Sequence, residues 1–61
     1  MTESQLMEYQ NYIFARIRKL NFHVENLDTA DNDITCTLIN SYLEDIKGVI
    51  TLIQYNEKHN K

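Results

Sequence analysis

Apolar residues recur on a helical period through both halves of this chain, and only one short stretch between the halves can turn it. In the first half Leu6, Ile13, Leu20 and Leu27 share one heptad position, and Gln10, Ile17 and Val24 share the other. This is the three-four alternation of a helical seam, with Gln10 its polar exception. In the second half Ile39, Ile46 and Ile53 keep one position while Thr35, Tyr42 and Val49 keep the other. No Pro and a single Gly interrupt these runs, and a many-stranded β fold, which needs turn-formers, is excluded.

Between the runs, Asn26-Leu27-Asp28-Thr29-Ala30-Asp31-Asn32-Asp33 gathers side chains that bond to their own backbone and favour turns and caps. The pattern predicts helix over about 3–26, a turn over about 27–32 and a second helix over about 33–58. Thr2 and Gln5 have the spacing of a capping box at the first N-terminus. Asp28, Thr29 or Asp31 is expected to cap the second helix, and Lys58, His59 and Lys61 suit its negative end. The fold class is therefore all-α, a two-helix antiparallel hairpin in one domain.

Folding the halves together opposes Leu6 to Ile53, Ile13 to Ile46, Ile17 to Tyr42, Leu20 to Ile39 and Val24 to Thr35. Every fully apolar layer closes at one register. Arg16 then falls near Asp45 as a polar rim pair that fixes register, with Tyr9 near Leu52 and His23 near Leu38 on the same flank. The opposite flank collects Met7, Phe14, Leu43 and Ile50, an apolar strip that a lone hairpin would leave in water. A chain of 61 residues buries only about 60% of its unfolded surface and commonly needs a staple, and Cys36 alone closes no intrachain disulfide. The strip is accordingly expected to join two hairpins, a homodimer forming a four-helix bundle.

Composition narrows the partners. A formal charge of −3 and a pI near 5.1 exclude a dedicated duplex-DNA binder, which carries clustered Lys and Arg. No apolar run reaches the ~20 residues of a membrane span, and Met1-Thr2-Glu3-Ser4 has no signal-peptide character. A cytoplasmic protein without membrane association is expected, and the unpaired Cys36 fits a reducing compartment.

The chemical constellations are sparse. Asp28, Asp31 and Asp33 suggest calcium, but an EF-hand loop begun at either Asp28 or Asp31 lacks the Gly and the Glu its geometry requires. Capping explains these residues. His23 and Cys36 are the single pairing suited to a metal or a nucleophile, and no orienting third group accompanies them. No phosphate loop, nucleophile elbow or separated carboxylate pair occurs. Neither an enzyme nor a cofactor nor a bound metal is expected. Gly48 lies mid-helix on the polar side, a weak point or a place of close backbone approach.

On the outer face of the first helix, Tyr12, Ala15, Lys19, Phe22 and Asn26 follow at three- and four-residue steps, with Asn11 and Arg18 alongside. Aromatic and Arg side chains dominate binding energies, so Tyr12, Arg18, Lys19 and Phe22 are the candidate partner-binding residues. A protein partner is preferred, ahead of RNA.

With Leu27-Asp28 at the turn and Cys36 early in the second helix, the chain resembles the Rop family of plasmid copy-number repressors. That resemblance covers the architecture and carries no RNA-binding residue. It implies an antiparallel four-helix bundle and recognition of paired RNA hairpins through one helical face. In outline the chain also resembles small helical phage proteins that bind host defence enzymes or sequester their cyclic-nucleotide signals, and its abundant Asn, Ile and Lys suit an AT-rich mobile genome. The expected function is a small non-enzymatic regulatory or inhibitory protein, phage- or plasmid-encoded, that binds a host macromolecule. The alternatives are a Rop-like RNA-hairpin regulator and an anti-defence protein that sequesters a nucleotide.

Overall fold

The computed structural model describes residues 1–29 and 31–59, so Ala30 of the expected turn, Asn60 and Lys61 lie outside the described residues. Two helices, α1 (Glu3–Glu25) and α2 (Asp33–His59), pack against each other as an antiparallel hairpin. No helix among the described residues is long and apolar enough to cross a membrane.

The start of α1 follows from Thr2. Its hydroxyl accepts from the Gln5 amide at 3.2 Å, while the Gln5 side chain accepts from the Thr2 amide at 3.0 Å. Two orphan donors are thereby satisfied reciprocally, and Glu3 sits in the first turn at the positive end of the helix dipole. At the other end the Asn26 amide reaches the Phe22 and His23 carbonyls at 3.2 Å each, and the Asn26 side chain donates to the Phe22 carbonyl at 2.8 Å.

Asparagine also closes the turn. Asn32 accepts from the Asp28 amide at 2.7 Å through Oδ1 and donates through Nδ2 to the Asp28 carbonyl, a reciprocal bridge across the connection. The residue preceding α2 is Asn32, whose carbonyl takes the first helical bond from the Cys36 amide at 2.8 Å. The sequence favoured Asp28, Thr29 or Asp31 there. Of these, Asp31 does cap an α2 amide, accepting from Asp33 at 3.1 Å from one place outside Asn32, whereas Asp28 accepts from the Thr29 amide at 2.6 Å.

Among the described residues none is fully buried. On α2 the half-buried residues include Thr35, Ile39, Tyr42, Ile46, Val49 and Ile53, the seam predicted from the heptads, with Asp45 and Asn56 beside it. On α1 it is Tyr9, Ile13, Arg16, Leu20 and His23, and this corrects the sequence reading. Gln10, Ile17 and Val24, expected in the seam, are exposed, and Leu6 with them. Replacing one of the two seam rows by the row one residue earlier amounts to rolling α1 by about 50° about its axis. The physical reason lies in what each row offers. Tyr9, Arg16 and His23 bring two rings and a long aliphatic stem against α2, whereas the alternative row opens with Gln10 and carries only Ile and Val beyond it.

Candidate functional site

The roll is anchored by one cluster. The Arg16 guanidinium lies over the Tyr12 ring, 4.7 Å from its centroid, and faces the Tyr42 ring of α2 at 5.8 Å. Tyr42 in turn stacks on His23 with ring centroids 5.4 Å apart, and Phe22 meets His23 edge-on at 5.4 Å. Side chains lean toward the N-terminus of their own helix, so in an antiparallel hairpin His23 and Tyr42 tilt toward each other. This gives His23 a partner other than the expected Leu38. The expected Arg16–Asp45 pair is present but loose. Nε and Oδ2 are 3.7 Å apart, beyond hydrogen-bonding distance, and the buried Nε has no hydrogen-bond partner. Tyr12 is the largest influence raising the Arg16 pKa, partial desolvation opposes it, and Asp45 and Tyr42 add to it.

The sequence reading missed this cluster as a unit. The signal was available in Tyr12 and Arg16, which stand four residues apart and so meet on one helical face. What could not be read was that Tyr42 would lean across to them.

The four candidate partner-binding residues divide accordingly. Arg18, Lys19 and Phe22 are exposed on the side of α1 away from α2, and Phe22 leaves 62% of its surface in water. Tyr12 lies at the edge of that face, its ring occupied by Arg16. Ala15, placed in the same stripe, is half-buried. The four candidate interface residues, Met7, Phe14, Leu43 and Ile50, are all exposed.

The remaining chemistry-bearing residues have local occupations. Cys36 is a free, exposed thiol, and His23 is committed to Tyr42. His59 stacks on Tyr55 at 4.0 Å, with its Nδ1 3.0 Å from the Tyr55 carbonyl. A Cβ built on Gly48 meets nothing within 4 Å beyond its own helical turns, so among the described residues no other backbone approaches it. Among the described residues there is neither a pocket nor a cluster of three or more metal-ligating side chains.

No protein-family model matches the sequence, and no curated protein and no solved structure matches it either.

Proposed function

We propose that the protein is a small non-enzymatic regulator or inhibitor, encoded by a mobile element and acting in the cytoplasm. It binds a host macromolecule through the outer face of α1, using Arg18, Lys19 and Phe22 with Tyr12 at the margin. It works as a homo-oligomer, in the simplest form a dimer whose two hairpins make a four-helix bundle. The observation that supports the binding face is Phe22, a large aromatic 62% exposed on the side of α1 that the hairpin does not use, beside two exposed cations on an acidic chain. The packing of Phe22 in the hairpin is limited to the edge-on contact with its neighbour His23, while aromatic and Arg anchors are what binding surfaces concentrate.

A protein with an acidic surface is the preferred partner. Capture from native lysate with wild type and Phe22→Ala, each with and without ribonuclease, tests this reading. One stoichiometric protein, retained after nuclease treatment and lost with Phe22→Ala, is the expected result. Recovery that disappears with ribonuclease and falls steeply with added salt would replace the protein partner by RNA. A co-purifying nucleotide in place of either would favour sequestration.

A further inference from the structure

We infer that a second copy of this chain occupies the face of the hairpin formed by Met7, Phe14, Ile17 and Val24 of α1 and Leu43 and Ile50 of α2. The inference rests on the reading of the protein as a homo-oligomer and specifies the surface that joins the copies. Rolling α1 toward its Arg16 side turned Ile17 and Val24 out of the intrachain seam, and they are 37% and 47% exposed. Their row lies beside that of Met7 and Phe14, so the open face is wider than the strip expected from the sequence. Around the α1 axis its centre stands about 100° from the row that meets α2. That is close to the angle between the two neighbours each helix has in a four-helix bundle.

The surface area fits a second copy. The hairpin exposes 5072 Å², whereas a compact monomer of 7.3 kDa exposes about 4,200 Å². The excess, roughly 900 Å², belongs to the hairpin as a whole and is as large as the ~800 Å² that each partner contributes to a stable interface of standard size, so covering one face of this extent would restore an ordinary exposed area. Shape agrees with area: the radius of gyration is 14.7 Å where a compact chain of this length has about 10.5 Å. Charge selects the partner. Between Met7 and Asn21, Gln10 and Val24, and Cys36 and Ile50 the rows contain no charged side chain, and within the helices charge returns only at the ends away from the turn, where Glu3 and Glu57 continue them. The uncharged middle of this face presents nothing that demands an oppositely charged surface, and the same face on a two-fold-related copy matches it.

The test uses the intact wild-type chain. Sedimentation equilibrium from low to high micromolar concentration should give twice the 7.3 kDa chain mass. In a mixture of isotope-labelled and unlabelled protein, contacts between copies should appear at the methyls of Ile17, Val24, Leu43 and Ile50. Ile17→Lys, which loses one apolar contact from each copy, should weaken self-association on the order of a hundredfold or more. A helical wild type that stays monomeric would overturn both the homo-oligomer and this face. A dimer whose intermolecular contacts fall at Ile34, Leu38 and Leu52 or at Phe22 would overturn this face alone. The isotope experiment needs no substitution, so it decides the question even if Ile17→Lys fails to fold.

Discussion

At Arg16 three contacts compete for one guanidinium: the Tyr12 ring beneath it, the Tyr42 ring across the hairpin and the Asp45 carboxylate at its edge. The carboxylate is the weakest of them by geometry, since 3.7 Å is too long for a hydrogen bond. Tyr42→Ala should therefore lower the melting temperature clearly more than Asp45→Ala, because Tyr42 also carries the His23 stack. A pair of melting curves checks this, and equal losses would show that the ion pair matters as much as the stack. The raised Arg16 pKa contributes stability that is present at every pH below the group's ordinary value and is lost only above it. Arg16 thus introduces no pH transition in the neutral range. Gly48 offers the opposite kind of test. Its added Cβ meets open space, so Gly48→Ala should stabilise by up to ~1 kcal/mol through helix propensity, read from the denaturation midpoint.

At the scale of elements, both helix ends that face the turn depend on asparagine. Asn26 closes α1 through the Phe22 carbonyl, and Asn32 bridges back to Asp28 through both atoms of its amide. An exposed hydrogen bond is worth about 0.5–1.5 kcal/mol, so Asn32→Ala should destabilise by about 1 kcal/mol. Amide exchange should quicken first at the start of α2, around Ile34–Cys36, and a uniform increase along both helices would contradict a local role. Thr2→Ala removes the capping box and should cost about 1 kcal/mol, with fraying confined to the first turn of α1.

The whole molecule measures 51 × 17 × 10 Å and has no fully buried residue among those described. Half-burial of its seam leaves most large apolar side chains short of the full stabilisation that burial gives, so its stability should depend on association. The melting temperature of wild type is expected to rise with protein concentration. A melting temperature independent of concentration would mean that the hairpin is self-sufficient. Phe22→Ala removes only the edge-on contact with His23 and lies away from the face that joins the copies, so it should leave that concentration dependence unchanged.

The sequence by itself determined the helices, the single turn and the antiparallel pairing, because heptad period, cap spacing and turn chemistry are local properties of the chain. It also determined the α2 seam, from Thr35 to Ile53, where the all-isoleucine row Ile39, Ile46 and Ile53 combines with Thr35, Tyr42 and Val49 in the three-four alternation. Only the tertiary structure decided which row of α1 meets that seam. Two adjacent rows competed there, one with Ile17 and Val24 and one with Tyr9, Arg16 and His23, and their difference in hydrophobicity does not settle the contest. The outcome rests on Tyr42 leaning across the hairpin to stack on His23 and face Arg16, a contact between residues far apart in sequence that periodicity does not encode. The same roll turned Ile17 and Val24 outward.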